Sequence, residues 1–199
     1  MLQSTSTDDG RGDGQLSLEL NQSVLPAVHK LKEIEEVVAS SIEYMVLLGG
    51  HIGQLQSTVQ FIKQHNKKIF LHADLIDGLK NDEYAADFLC QSIKPTGIIS
   101  TRANVVMRAK QKGLIAIQRM FLLDSDALER GYRLLEKTQP DFIEVLPGIM
   151  PEIIAEVKQH TGIPVIAGGL IRTQAHVNEA LGAGATAITT SRKELWLRG

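Results

Sequence analysis

Residues 162–169 read Gly-Ile-Pro-Val-Ile-Ala-Gly-Gly, and residues 184–191 read Gly-Ala-Thr-Ala-Ile-Thr-Thr-Ser. Each is a short apolar strand that ends in residues suited to holding a phosphate. Gly168 and Gly169 leave room for backbone N–H groups to approach a ligand, while Thr190 and Ser191 add hydroxyls and a helix start, which attracts anions. Two such units in succession are typical of the phosphate site after strands 7 and 8 of a (β/α)8 barrel. Taken singly, the glycine pair could be only a tight turn and the Thr-Ser pair only a helix cap.

The rest of the chain, from Ser23 onward, alternates apolar strands with amphipathic helices. This alternation predicts a parallel sheet with right-handed crossovers, and eight strands favour closure into a compact α/β (β/α)8 TIM barrel. An open doubly wound sheet is the alternative, but it would call for a Gly-rich GxGxxG loop after the first strand, which this sequence lacks. The predicted strands are residues 24–28, 44–48, 68–72, 97–100, 114–121, 142–146, 164–168 and 187–190.

Composition indicates one domain without a cysteine-based site. The chain has 199 residues, 43% of them hydrophobic, so residues 23–199 suffice for a single barrel with a sizeable core. Residues 1–22 are polar and Gly-rich, without the features of a secretory signal, and are interpreted as a disordered extension or a cloning remnant. Cys90 is the one cysteine, which fits a reducing cytoplasm. No apolar run approaches a membrane span, and we expect no membrane partner, metal site or cofactor.

Charged and polar residues are predicted at the carboxyl ends of the strands, where barrel sites lie. Strand alternation turns His72 and Asp74 of the third strand, and Glu144 of the sixth, toward the barrel interior. In the fifth strand the alternation leaves open whether Gln118 or Arg119 faces inward. Arg119 is a natural counter-charge for Glu144 or for a ligand phosphate. The alternative is that Glu144 and Arg119 form only a structural ion pair, and that His72 is an ordinary hydrogen-bonded histidine.

A window of local positive charge suggests contact with nucleic acid. The net charge is only −2, so such a site must be a local patch, but residues 88–123 contain no acidic residue. Unopposed basic charge is the pattern expected for binding phosphate backbones. The alternative is that the cations at the end of the fourth helix serve its dipole. Because aromatic residues are scarce in this window, RNA contact would depend on backbone and shape. The candidate RNA-binding residues are Arg102, Arg108, Lys110 and Lys112.

Six segments carry a resemblance to a known family. They are residues 72–85 (HADLIDGLKNDEYA), 100–105 (STRANV), 109–113 (AKQKG), 118–125 (QRMFLLDS), 140–148 (PDFIEVLPG) and 167–173 (AGGLIRT). Together they resemble the GlpP family of glycerol-3-phosphate-responsive antiterminators, from about residue 24 to residue 196. The resemblance implies a regulator, not an enzyme, that binds glycerol 3-phosphate as an effector. It then acts on the mRNA leader of glycerol-catabolic operons so that transcription passes a terminator.

The resemblance also implies roles for the candidate residues. The phosphate would lie on the backbone around Gly168-Gly169 and Thr190-Ser191, and the glycerol hydroxyls would meet His72, Asp74 and Glu144. The principal alternative is a TIM-barrel enzyme acting on a small phosphorylated triose or glycerol-phosphate, with the same three side chains as an acid/base set. A module that only stores a ligand or binds a protein is a second alternative. The sequence leaves the oligomeric state open, a homo-oligomer included.

Overall fold

The structure is a computed structural model that describes residues 20–196. Eight barrel strands and eight helices alternate along these residues, with two further strands of two residues each and a π-helical stretch, Leu89–Ile93, after the third helix. The strands are β1 (Val24–Val28), β2 (Tyr44–Leu47), β3 (Lys68–His72), β4 (Gly97–Ser100), β5 (Ile115–Phe121), β6 (Phe142–Leu146), β7 (Val165–Gly168) and β8 (Ala187–Thr190). The helices are α1 (Leu31–Val38), α2 (Ile52–Gln64), α3 (Glu83–Phe88), α4 (Ala103–Gln111), α5 (Ser125–Thr138), α6 (Pro151–Thr161), α7 (Gln174–Gly182) and α8 (Lys193–Trp196).

The eight strands form one closed parallel barrel. Each strand pairs with the next along the chain, and the barrel closes where β1 pairs with β8, with Val24 opposite Ile188. The predicted (β/α)8 TIM barrel is therefore confirmed, and each predicted strand agrees with the observed one to within one residue at either end. Because all strands run the same way, the eight loops that follow them lie at one end of the barrel, called the mouth below.

Strand alternation sorts the core into two layers. Phe70, Ile117, Phe142 and Ile166 point into the barrel and belong to its interior cluster. Their strand neighbours point outward into the larger cluster between the barrel and the helices, as Ile69 and its equivalents do. This pattern is the one expected of parallel strands covered on both faces, and it fixes which polar residues enter the interior near the mouth.

The opposite end of the barrel is closed by residues that precede β1. Leu20 is buried within the interior cluster. The Gln22 side chain makes two hydrogen bonds to the backbone of Tyr44: its Nε2 donates to the Tyr44 carbonyl at 2.9 Å, and its Oε1 accepts from the Tyr44 amide at 2.9 Å. Contacts with the barrel thus begin by Leu20, ahead of the boundary predicted after residue 22. The rest of the predicted extension, residues 1–19, lies outside the described residues and stays a prediction.

A small second sheet at the mouth was not predicted. Gly50–His51 pairs in parallel with Ile76–Asp77, joining the loop after β2 to the loop after β3. Gly49 enters this sheet with a φ of +118°, a conformation that favours glycine. The pairing joins two mouth loops to each other.

Within residues 20–196, no helix combines the length and apolar character that crossing a bilayer would require.

Candidate functional site

The carboxyl ends of β5, β6 and β8 bring three polar side chains together inside the barrel. Arg119 lies opposite Glu144 in the register of β5 and β6, and Arg119 Nε donates to Glu144 Oε2 at 2.6 Å. Thr189 Oγ1 donates to the other carboxylate oxygen, Oε1, at 2.9 Å. Arg119 is therefore the inward member of the pair that the sequence left open, and Gln118 instead donates to the Ser100 and Thr101 carbonyls.

This ion pair is deeply placed. The Glu144 side chain is fully buried and that of Arg119 is 11% exposed. Both carboxylate oxygens already accept a hydrogen bond, so Glu144 holds Arg119 and Thr189 in place at the floor of the mouth. The structural ion pair that the sequence allowed is thus present. Direct contact of Glu144 with glycerol hydroxyls stays a prediction, and the remaining N–H groups of Arg119 are the ones that can reach a ligand.

Gly168 makes room for this carboxylate. A Cβ at Gly168 would lie 2.7 Å from Thr189 Oγ1 and 2.8 Å from Glu144 Oε1, closer than real Cβ atoms approach. The sequence explained Gly168 by the approach of a phosphate to the backbone, whereas the structure gives it a packing reason inside the barrel. Gly169, with a φ of +75°, is the member of the pair that lines the mouth.

A cavity of about 490 Å³ opens above this floor. Three arginines line it, and no aspartate or glutamate does among the described residues. The predicted phosphate residues Gly169, Thr190 and Ser191 also line it, while Gly168 lies beneath. The Thr190 hydroxyl is already engaged, since it donates to the Ile171 carbonyl at 2.8 Å. The cavity therefore presents positive charge from the arginines Arg119, Arg172 and Arg192.

Arg172 and Arg192 were missed as site residues by the sequence analysis. Both are exposed, on the loops after β7 and β8, and neither has an acidic partner within residues 20–196. Each follows one of the two predicted phosphate turns by a few residues. A search for a basic side chain just beyond each turn would have found them, because the loop after a strand folds back over the mouth. Together with Arg119 they place three arginines on the cavity lining, and guanidinium groups bind phosphate well.

His72 is an inward-facing histidine without a partner. It is 2% exposed, and neither ring nitrogen has a hydrogen-bond partner among the described residues. Burial, followed by the charge of Arg119, lowers the pKa of His72 to about 4, although Glu144 and Asp74 act in the opposite direction. The ring is therefore neutral at pH 7, with one donor and one acceptor nitrogen to offer. A buried polar group without a partner is costly, so His72 is a candidate for contact with a ligand or an ordered water.

Asp74 is committed to the neighbouring loop. It lies in a short 3₁₀ turn, Ala73–Leu75, just after β3. Its carboxylate accepts from the Ser100 hydroxyl and, at 2.7 Å each, from the amide and hydroxyl of Thr101. These bonds clamp the loop after β3 to the loop after β4. The predicted contact of Asp74 with glycerol hydroxyls stays a prediction, and the structure gives this residue a positioning role.

The basic window is not free of acidic partners in space. Arg108 donates from Nε and Nη2 to the Asp87 carboxylate at 2.7 and 2.8 Å, which lowers the pKa of Asp87. Lys112 lies 3.9 Å from the same carboxylate, and Lys110 lies 3.4 Å from Asp141. The premise that these three cations are unopposed was therefore wrong, because both acids lie outside the window in sequence but beside it in the fold. RNA contact by these residues stays a prediction with less support.

Arg102, the fourth candidate RNA-binding residue, is exposed at the N-cap of α4 and has no acidic partner within the described part of the chain.

Within residues 20–196, no group of three or more histidine, cysteine, aspartate or glutamate side chains lies close enough to hold a metal ion.

Comparison with known proteins gives the family. A family model described as "Glycerol-3-phosphate responsive antiterminator" matches residues 24–196. The crystal structure of a glycerol uptake operon antiterminator regulatory protein from Listeria monocytogenes is 52% identical, with a TM-score of 0.87 over 88% of this chain and 95% of that one. A related Thermotoga maritima structure, described as glycerol uptake operon antiterminator-related, is 31% identical, with a TM-score of 0.78 over 88% of this chain and 98% of that one.

A curated relative is also similar along its length. The uncharacterized protein YgcP of Escherichia coli is 32% identical over 173 residues, which are 87% of this chain and 91% of the relative. The matched region spans the whole barrel, from β1 to α8. The chain therefore belongs to the glycerol-3-phosphate responsive antiterminator family.

Proposed function

We propose that this member of the family binds glycerol 3-phosphate in the mouth cavity and, in that state, acts on the mRNA leader of glycerol-catabolic operons to regulate transcription termination. The observation that carries the proposal is the lining of the cavity, where three arginines and no carboxylate occur among the described residues. A cavity with that charge selects an anion of small size. The proposal implies a cytoplasmic protein without a membrane partner.

The phosphate end of the ligand is best accommodated between the loops after β7 and β8. Arg172 and Arg192 reach the cavity from these two loops, and Gly169 and Ser191 expose backbone there. Guanidinium groups bind phosphate oxygens through paired, charge-assisted hydrogen bonds. Neither arginine has to leave an acidic partner within residues 20–196 in order to do so.

The glycerol end would point toward the floor of the mouth. His72 is buried below the cavity and is not part of its lining, but it lies close enough to Arg119 to feel its charge. Its two ring nitrogens have no partner among the described residues, and one can donate while the other can accept. Arg119, held by Glu144, offers its remaining N–H groups. Hydroxyl groups can both donate and accept, so they match a neutral imidazole beside a guanidinium. A ligand with a phosphate at one end and hydroxyls at the other would match these two groups of residues.

A regulator is better supported than an enzyme. Glu144 is fixed by its ion pair with Arg119 and by a hydrogen bond from Thr189, which leaves it poorly suited to accept a proton from a substrate. Among the described residues, the lining holds no lysine that could form a Schiff base. Incubation with glycerol 3-phosphate and phosphorylated trioses should therefore leave all of them unchanged, and formation of a product would favour the enzyme.

Calorimetric titration tests the ligand directly. Glycerol 3-phosphate should bind at one site per chain, and both glycerol and inorganic phosphate should bind at least tenfold more weakly, because each satisfies one half of the cavity. Gel-shift titration of glycerol uptake operon leader RNA, with and without glycerol 3-phosphate, then tests the regulatory step. Equal affinity for all three small molecules would contradict the proposed site.

A further inference from the structure

The exposed apolar side chains of the barrel are gathered at one end. Among residues 20–196, the large hydrophobic side chains that are exposed lie at the mouth, at the end of β5, on a loop that follows a strand or in the first turn of a helix. Clustered apolar exposure marks an interaction surface, whereas scattered apolar residues are ordinary. These residues are Leu31, Leu75, Tyr84, Phe121, Leu123, Ile149 and Leu170.

The two aromatic members and one exposed arginine follow three neighbouring strands of the barrel. Tyr84 is 75% exposed at the start of α3, and Phe121 is 53% exposed at the end of β5. Between them, on the loop after β4, Arg102 is exposed without an acidic partner among the described residues. The three residues therefore follow consecutive strands, β3, β4 and β5, around the rim. This set is called the aromatic rim below.

Several acidic residues near the aromatic rim are already engaged with the protein. Asp82 and Asp124 cap α3 and α5, accepting from the backbone amides of Ala85 and Ala127. Asp74 accepts from Thr101, next to Arg102. These bonds turn three carboxylates toward the protein, whereas Glu83, next to Tyr84, stays exposed. The Arg102 side chain is exposed to solvent.

We infer that the aromatic rim is where RNA binds, with unpaired bases stacked on Tyr84 and Phe121 and a backbone phosphate held by Arg102. The inference rests on the proposed function and locates its RNA partner. Exposed rings on either side of an unpaired cation suit single-stranded nucleic acid, whose bases stack on aromatic faces while its phosphates meet arginine. The cations at the end of α4 are poorer candidates, because Asp87 and Asp141 lie beside them and offset part of their charge.

The aromatic rim adjoins the effector cavity. Phe121 lies two residues beyond Arg119 on β5 and pairs in register with Leu146, and both Arg119 and Leu146 line the cavity. A ligand that orders the ends of β5 and β6 thus also orders the position of Phe121. This proximity gives a physical route by which the effector changes RNA affinity.

Alanine substitution of the two rings tests the inference. Tyr84→Ala and Phe121→Ala should each weaken binding of glycerol uptake operon leader RNA by about 5- to 150-fold in the presence of glycerol 3-phosphate. Tyr84→Phe should keep near wild-type affinity, because it retains the ring, whereas Phe121→Leu should not. Leu123→Ala is the matched control, since Leu123 is 81% exposed two residues beyond Phe121 but has no ring to stack on a base.

Arg102→Ala tests the phosphate contact through salt dependence. Loss of one phosphate contact should reduce the slope of log affinity against log salt by about 1, with RNA binding weakened throughout. Calorimetric affinity for glycerol 3-phosphate and the thermal midpoint should stay unchanged in all these variants, which shows that the barrel is folded and the cavity intact.

The outcomes separate this inference from the proposed function. If the wild-type protein binds the leader RNA and the alanine variants bind it equally well, the aromatic rim is not the RNA surface, although the proposed function stands. If the wild-type protein fails to bind RNA at any effector concentration, both are overturned. If the alanine variants change the sedimentation coefficient while RNA affinity is kept, the rim is an interface between protein chains and the inference is wrong.

Discussion

Arg119 and Glu144 form an ion pair of 2.6 Å at the floor of the mouth cavity, with Glu144 fully buried. The pair places a guanidinium on the cavity lining. Burial and then the charge of Arg119 lower the pKa of His72, while Glu144 acts in the opposite direction. The pair therefore links the barrel interior to the groups proposed to meet the ligand.

Breaking this pair should destabilise the barrel. Glu144→Gln leaves the Arg119 charge uncompensated in a nearly closed interior, and removing one partner of a buried pair costs about 3 to 5 kcal/mol of unfolding free energy. Urea denaturation measures the loss. Glu36→Gln is the matched control, because the Glu36–Lys193 pair is over 40% exposed on both sides and should change stability by less than about 1 kcal/mol. Equal effects in the two variants would contradict the buried role of Glu144.

Adding a methyl group at Gly168 should disturb the same carboxylate. In Gly168→Ala the new Cβ meets Thr189 Oγ1 and Glu144 Oε1 at less than 3 Å, and such overpacking costs about 1 to 3 kcal/mol. Glycerol 3-phosphate affinity should fall as well, because Arg119 moves with Glu144. Gly182→Ala is the control: its Cβ would meet nothing within 4 Å, so thermal denaturation should show unchanged or slightly raised stability. A Gly168→Ala protein as stable as wild type would refute the packing assigned to this glycine.

His72 should make stability depend on pH in mildly acidic solution. Its pKa falls from 6.5 in the unfolded chain to about 4 in the fold, so between those values the unfolded chain binds the extra proton. The contribution of neutral His72 is complete above pH 6.5 and is lost as the pH falls to 4, a change of about 3 kcal/mol.

Urea denaturation of wild type and His72→Gln at several pH values isolates the contribution of His72 to the unfolding free energy. The difference between their unfolding free energies should change across the window from pH 6.5 to 4, with wild type losing more on acidification. His65→Gln, at an exposed histidine, should follow wild type. A difference between His72→Gln and wild type that is independent of pH would show that His72 is not held neutral in the fold.

The cavity arginines should govern ligand affinity. Arg172→Ala and Arg192→Ala each remove a charged hydrogen-bond donor from the proposed phosphate position, which should weaken glycerol 3-phosphate binding about 10- to 150-fold. Isothermal titration calorimetry measures the loss. Arg108→Ala serves as the control, because Arg108 lies on α4, is bound to Asp87 of α3 and is outside the cavity lining. An undiminished affinity in both cavity variants would place the phosphate elsewhere.

The sequence predicted the barrel closely because each buried parallel strand is a short apolar run bounded by polar or Gly-containing turns. The strand pair Gly50–His51 and Ile76–Asp77 escaped prediction, since strands of two residues carry no periodicity. The inward face of β5 was also undecided, because Gln118 and Arg119 are both polar. Only the register with β6 places Arg119 beside Glu144.

The site was predicted in part, and the errors have a common cause. Gly169 lines the mouth cavity, and His72 and Glu144 face into the barrel below it, since strand alternation and turn chemistry are local properties. Their contact with a ligand stays a prediction. The pairing of Arg108 with Asp87 spans 21 residues, and that of Asp74 with Thr101 spans 27. Contacts across such sequence separations depend on how α3 packs on α4 and how neighbouring loops meet. A count of charges along the chain carries no information about that packing.

The affinity of the leader RNA, measured with and without saturating glycerol 3-phosphate, tests the central claim most directly. The account predicts that the ligand tightens RNA binding and that saturating RNA tightens the ligand by the same factor, since coupling between two binding sites is reciprocal. An RNA affinity that is the same at zero and at saturating glycerol 3-phosphate would contradict it.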